Sequence, residues 1–468
     1  MVEGTPPALE GISCVQNCQQ YLNPSERLVL KARSTDCTPE SHLQYFWSLV
    51  NNPVNSKQWI DWDTDTLTGR QKTYLSIHKD TFKSGAVAET YTIRLDASDK
   101  SVESTYTLYS FTTNVAPTLG TCTVVPDTGI VMETLFQVTC SGFSDVNLPI
   151  TYRFAAISGA ATSTEAWEQG TMVYYGTDST SSPLYLPVGD KANDFVVTIA
   201  IRVTDSFGES TETTTTATVL EGEMKENVST VITTTESTVN TLLKAGNSQA
   251  AVQLLTSVSS AMNLDTTTGQ EDKKQLRKGA ITSLNRIRIQ TLDSLHQTAT
   301  AMAQLTKEDT ELSGDAQDLA VSKLTEMTTF LRAKTEDGTA SVQVVESTTQ
   351  ALISGLANVV KAAARRTSTA HGHFTPKVFP WSSTVIQQSL QTISTVKQTV
   401  LTTIAPGEKP KVLTTPSLAI MLQRDECRDF RAGAYVQEDF GSLFSVPSCD
   451  DLFRNGTIQP DQVIDMHE

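Results

Sequence analysis

The chain has 468 residues, 36 Lys plus Arg against 52 Asp plus Glu for a formal net charge of −16, with 38% hydrophobic and 19% charged residues. This length exceeds one hydrophobic core and predicts about three domains, built from a composition that buries cores rather than staying disordered. The negative balance argues against nucleic acid as a partner, and the lack of any apolar run of about 18 residues argues against a helical membrane span.

Residues 1–20 carry no basic-then-apolar secretory pattern and are expected to form an N-terminal leader. Cys14 and Cys18 lie there, and with Cys37 they make an odd set of three whose pairing is open. From Tyr21 to about Leu220 short alternating runs rich in Val, Thr, Tyr and Phe are broken by turn residues, as in Arg27–Ala32, Tyr91–Ala97, Thr105–Thr112, Leu135–Cys140 and Val196–Thr204. Such patterning predicts two β-sandwiches of about a hundred residues each, immunoglobulin- or fibronectin-III-like. Their seam is expected at Asn114-Val115-Ala116-Pro117, because proline cannot donate to a strand ladder; the sandwiches are then 21–113 and 114–221.

In the first sandwich Asp61, Asp63 and Asp65 alternate like the opening of a calcium loop. Thr66 stands where the turn glycine belongs and Lys72 where a bidentate Glu must close the shell, so a solvated acidic loop is the expectation. Trp47 lies in an alternating strand and is expected in the core, whereas Trp59 and Trp62 sit in a loop where flat apolar faces stack on sugar rings. In the second sandwich Cys122 and Cys140 flank a turn at Pro126–Gly129. That spacing allows a disulfide worth about 3 kcal/mol.

After Gly222 the spacing becomes helical. Leu276, Ala280, Leu284, Ile287, Leu292, Leu295, Ala299, Met302 and Leu305 form one stripe, predicting a helix of about thirty residues. Further helices are expected over Ser248–Met262, Gly314–Ala333 behind a Ser313 cap, Ser341–Ala364 and Ser383–Thr402, giving an antiparallel bundle over 222–402. The cations Lys273, Lys274, Arg277 and Lys278 are expected on a solvated face. Beyond this, 403–468 turns β-like again, with Leu418–Arg424 and Leu443–Val446, and resembles a sheet cut short. It holds the potential pair Cys427 and Cys449 and the sequon at Asn455; another sequon lies at Asn227.

Residues Asn114–Phe154 (NVAPTLGTCTVVPDTGIVMETLFQVTCSGFSDVNLPITYRF) resemble the receptor-for-egg-jelly (REJ) module of the polycystin family. They carry in order its Asn-x-x-Pro seam, Gly-x-Cys strand, Pro-x-x-Gly turn, Phe-x-Val-x-Cys strand and Pro-Leu-x-Tyr-x-Phe strand, the last with Ile150 in place of Leu. Asn23–Ala32, Tyr45–Val50 and Leu186–Gly208 resemble the rest of the module. One departure is Arg33-Ser34, where family members carry a cysteine ahead of Cys37. The resemblance implies that Gly222–Glu468 corresponds to the helical subdomain and first strands of the autoproteolysis-inducing (GAIN) domain. The family's His-Leu-Ser/Thr cleavage tripeptide does not occur. His42-Leu43-Gln44 comes nearest and has Gln where the nucleophile must stand.

His371 and His373 lack a third ligand, and Ser76-x-x-Lys79 and Ser394-x-x-Lys397 lack a nucleophile's setting, so no catalytic centre, metal or cofactor is expected. The resemblance implies a non-catalytic extracellular region of a membrane receptor or channel, presenting an extracellular protein or glycan ligand and transmitting force to a membrane-anchored parent. A secreted adhesin or glycan-binding module and an accessory domain of an extracellular hydrolase are the other readings.

Overall fold

The computed structural model describes residues 9–34, 43–51, 60–82, 87–98, 104–222, 228–369, 384–426, 433–437, 442–446 and 463–467. The N-terminal region holds β1 (Leu9–Gln16), β2 (Leu28–Ser34), β3 (Gln44–Asn51), β4 (Tyr74–Ile77), β5 (Thr90–Ser98) and β6 (Ser104–Thr112). Two three-stranded antiparallel sheets, β1-β2-β4 and β3-β5-β6, share one core of Leu28, Leu30, Trp47, Leu75, Ile77, Ile93 and Leu95. Along β5 every second residue, Tyr91, Ile93, Leu95 and Ala97, is buried, which is the period of a pleated strand with one wet face. Trp47 is fully buried and its Nε1 donates to the Lys72 carbonyl at 2.8 Å, satisfying the indole's polar tip. The stretch expected to be a leader contains β1, paired along its length with β2; its alternation is masked by Gly11 and by two register irregularities.

The central region holds β7 (Thr121–Val125), β8 (Thr128–Ile130), β9 (Gln137–Ser141), β10 (Thr151–Ser158), α1 (Ser163–Gln169), β11 (Thr171–Gly176), β12 (Val196–Thr204) and β13 (Ser210–Leu220). A five-stranded sheet, β11-β10-β12-β13-β8, with β8 parallel to β13, and a two-stranded β7-β9 pair enclose Phe136, Val138, Phe154, Leu184, Ile199 and Ile201. Cys122 stands opposite Cys140 in the β7-β9 ladder, and their sulfurs are bonded at 2.04 Å. In the N-terminal region Cys14 is bonded to Cys18.

The C-terminal region contains α2 (Val228–Lys244), α3 (Ser248–Leu264), α4 (Gln270–Asn285), α5 (Leu292–Leu305), α6 (Gly314–Glu336), α7 (Val342–Thr369) and α8 (Thr384–Thr403). It continues as β14 (Lys411–Thr415), β15 (Leu418–Glu426), β16 (Gly433–Gln437), β17 (Ser442–Val446) and β18 (Val463–His467). The helices and β14-β15 share one core, in which Leu413, Ile420 and Leu422 join Leu255, Met302, Leu324 and Leu356. Thus β14 and β15 are not a free-standing remnant: the helices cover them. Threonine, a modest helix former, is frequent here and solves its own problem: Thr298, Thr306, Thr328 and Thr399 each donate their hydroxyl to the carbonyl four residues back.

Two expectations for this region are corrected. The helix of about thirty residues is two helices, because Thr291 and Ser294 form a reciprocal capping box that starts α5 afresh, and Lys323 Nζ takes the Ile287 carbonyl at 2.6 Å in the break. The apolar stripe runs through that break, since Ile287 is buried with the rest. Of the cations expected on a solvated face, Arg277 is fully buried; it donates to Glu311 at 2.7 Å, the Leu305 carbonyl at 2.9 Å and Asn263 at 2.6 Å. Lys273, also buried, lies 3.5 Å from the same Glu311. A buried guanidinium needs that many acceptors.

Replacing both Cys122 and Cys140 with Ser removes a crosslink of sequence separation 18 and should cost about 3 kcal/mol of stability. Denaturant unfolding of the wild type and the double variant checks this: the two should differ by that amount without reductant and coincide with it, since reductant also opens the Cys14–Cys18 bond in both.

Candidate functional site

The three cores meet through polar groups, and the joints are the chemically distinctive part of the molecule. Among the described residues no cluster of three or more His, Cys, Asp or Glu side chains is arranged to hold a metal ion.

The first joint lies between the two β regions, at the predicted seam. Asn114 follows β6 and is buried with Asn23 and Asp205. Its Nδ2 donates to Asn23 Oδ1 at 3.1 Å and Asp205 Oδ2 at 2.7 Å, while its Oδ1 accepts from Asn147 at 3.0 Å and from the Val115 amide at 2.9 Å. Asp205 Oδ1 collects the amides of Phe207, Gly208 and Glu209, folding the β12-β13 turn into a cradle. That cradle presents the Phe207 carbonyl to Asn23 Nδ2 at 2.6 Å. Gly208 has φ +106°, and a Cβ there would stand 2.8 Å from Asn23 Nδ2, so only glycine permits the approach. Glu209 Oε2 completes the joint by accepting from the Ser25 amide at 3.1 Å and hydroxyl at 3.0 Å.

The second joint docks the central sheet on α3. Gln249, Gln253, Ser257 and Ser260 recur at three- and four-residue steps and form a polar stripe on one helix face. The stripe bonds backbone: Gln249 donates to the Tyr175 carbonyl at 3.0 Å, Gln253 to Val173 at 2.5 Å and Ser257 to Leu186 at 3.0 Å, while Ser260 accepts from the Val188 amide at 3.0 Å. An ion pair of 2.6 Å between Arg153 of β10 and Asp293 of α5 flanks it.

The third joint closes the circuit, bringing the N-terminal sheet onto the end of α8. Arg27 pairs with Glu408 at 2.9 Å, both largely buried, and also donates to the Thr403 carbonyl. Ser76 donates to the other Glu408 oxygen at 2.6 Å, Gln16 to the Thr403 carbonyl at 2.6 Å and Thr73 to Glu426 at 3.0 Å, around a small apolar contact of Val29, Tyr74 and Ala405. Burial pushes the Glu408 carboxyl above its ordinary range despite Arg27 and Ser76; burial likewise raises Glu26. A cavity of about 1270 Å³ remains where the regions converge, lined among others by Ser25, Trp167, Glu209, His296 and Lys411. Burial holds the His296 imidazole down to about 4, its Nδ1 3.2 Å from Thr348 Oγ1.

The residues singled out from sequence fall elsewhere. Cys122 and Cys140 pin the central region. Trp62 is half-buried against the N-terminal core and borders a shallow cavity of about 530 Å³ with Asp61, Arg70 and Lys72. Asp61 Oδ1 is occupied by the Asp63 amide and Asp65 Oδ2 by the Asp61 amide, local turn bonds of an acidic loop. Trp59, Asn227, Cys427, Cys449 and Asn455 lie outside the described residues. Of the residues at the joints, the sequence singles out only Asn114, at the expected seam; the polar stripe on α3 is visible as the 249, 253, 257, 260 spacing.

The profile of the REJ domain matches residues 1–257. The human protein "Polycystin family receptor for egg jelly" (Homo sapiens) is 26% identical over 471 residues, covering 97% of this chain and 20% of the relative. The protein of the same name from Mus musculus is 26% identical over 444 residues, covering 91% of this chain and 20% of its own length. The chain therefore spans about a fifth of the length of these curated relatives. Among solved structures, murine CEACAM1b overlays 45% of this chain and 100% of its own at 12% identity, with a TM-score of 0.17.

Arg27→Ala leaves Glu408 buried without its cation and should cost about 3–5 kcal/mol, whereas the paired change Arg27→Met with Glu408→Met should recover most of the loss; chemical denaturation of the three proteins checks this. His296 titrates with the opposite sign to a stabilising base. Its folded value lies below the unfolded one, so its contribution is intact above about pH 6.5 and is lost as pH falls toward 4, amounting to roughly 3 kcal/mol. His296→Gln should flatten that part of the stability-against-pH curve.

Proposed function

This chain belongs to the REJ domain family, and on that premise we propose that it is a non-catalytic, ligand-presenting and force-transmitting part of the extracellular region of a polycystin-like membrane receptor. In this reading the two β regions are immunoglobulin- or fibronectin-III-like sandwiches. The helices with β14 and β15 correspond to the helical subdomain and opening strands of a GAIN-type domain, and autoproteolysis is not performed by these residues.

The observation that carries the proposal is the closed circuit of buried polar joints. Three regions that could have been strung as independent beads each dock on the other two, which suits a body that must pass load or ligand occupancy along without yielding at its linkers. The Cys122–Cys140 bond supports an oxidising, extracellular setting. The relatives, named as receptors for egg jelly, support an extracellular ligand and a membrane-anchored parent. Among the described residues no helix is long and apolar enough to cross a membrane. The cavity beside Trp62 favours, as a second reading, a glycan-binding module acting without a membrane part.

Passage of the chain through a secretory pathway followed by non-reducing peptide mapping should recover Cys122 linked to Cys140 and glycans at Asn227 and Asn455; free thiols with bare sequons would overturn the extracellular reading. In single-molecule pulling, reduction of that disulfide should lengthen the fully extended chain by roughly 60 Å, the reach of the segment it encloses, and the joints should give way together with the modules. Early, separate release of each region at negligible force would sink the force-transmitting role.

A further inference from the structure

We propose that the joint between the two β regions is a proton-linked hinge, closed when Glu209 carries a proton and loosened when it ionises. Glu209 sits at the contact itself. Its Oε2 takes both the amide and the hydroxyl of Ser25, so the group that would acquire charge is also the one that bridges the two regions. Its hydrogen-bond donors are neutral, and the charge that acts on it is that of Asp205. Its own turn supplies Asp205, already holding three amides and Asn114, and the N-terminal region supplies Ser25, with Lys79 and Asp80 as neighbouring opposite charges on the cavity wall. The cations elsewhere on that wall are committed: Arg153 to Asp293, Arg202 to Glu212 and, on β14, Lys411 to Glu346 of α7. Ionised Glu209 would therefore place a second negative charge beside Asp205 in a buried site where, among the described residues, no cation forms an ion pair with it.

Burial accordingly pushes the Glu209 carboxyl up to about 7, against the opposing hydrogen bonds of Ser25 and Ser210 and with a further push from Asp205. A carboxyl whose docked value exceeds its free value favours the docked form fully below about 4.5, and that preference is lost as pH rises through about 7. Between pH 5.5 and 8.5 the closed-to-open ratio should fall roughly thirtyfold.

The Ser25 amide is the direct reporter, because it donates to Glu209 only while the hinge is closed. Hydrogen exchange on the full chain, corrected for intrinsic rates, should show its protection falling roughly thirtyfold across that range, with the Cys122–Cys140 strands unchanged. In Glu209→Gln, a neutral isostere, protection should be level with pH. In Ser25→Ala, which removes one donor to the ionised form and keeps the amide, the midpoint should move upward. Protection independent of pH in the wild type, a wild-type profile in Glu209→Gln, or an unmoved midpoint in Ser25→Ala would each overturn the hinge; the last decides the matter even where Glu209→Gln does not fold.

Discussion

A buried polar atom must find a partner, and the arrangement of the three regions follows from how that requirement is met at their contacts. Asn114 shows the constraint at its tightest. Its two amide atoms serve four partners drawn from both β regions, and a rotation of one region against the other breaks either the bond to Asn23 or those to Asp205 and Asn147. An apolar contact slides and repacks at modest cost, whereas a half-satisfied polar network is worse than none. The joint therefore has one good geometry and no near neighbours.

The same logic is repeated around the molecule, and repetition makes the regions mutually dependent. The α3 stripe reads backbone of the central region, not side chains, so what it recognises is the path of β11 and the loop before β12. Arg27 and Glu408, 381 residues apart, then hold the N-terminal sheet to the end of the helices. Because the circuit closes, disturbing one joint strains the other two, and a charge change at the Glu209 contact reaches the helical region through bodies already clamped to it.

Much of the local structure was legible. The alternation of Tyr91–Ala97 marks β5 because one face is wet, and Ser313 caps α6 as its side chain permits. What stayed hidden depended on partners distant in sequence. The stripe from Leu276 to Leu305 reports a buried face, and that face is continuous through the break before α5, so periodicity could not reveal where the backbone turns. Arg277 looks like surface until Glu311 and Asn263 are brought to it. Asn23, Asn114 and Asp205 are ordinary turn residues until three separate segments converge. The central disulfide, by contrast, is a local hairpin pair, and its cysteines stood out from the start.

The long strand β13 has a mechanical consequence. Thr211, at its beginning, donates to the Pro117 carbonyl at the seam, and Leu220, at its end, leads out toward α2. Along β13 nine consecutive residues, Ser210 to Thr218, are laddered to β12, and Thr218, Val219 and Leu220 pair with β8. Tension between the seam and the helices is thus directed along the strand, placing its ladder in shear, where the bonds bear the pull side by side, instead of being peeled open one at a time like a zip.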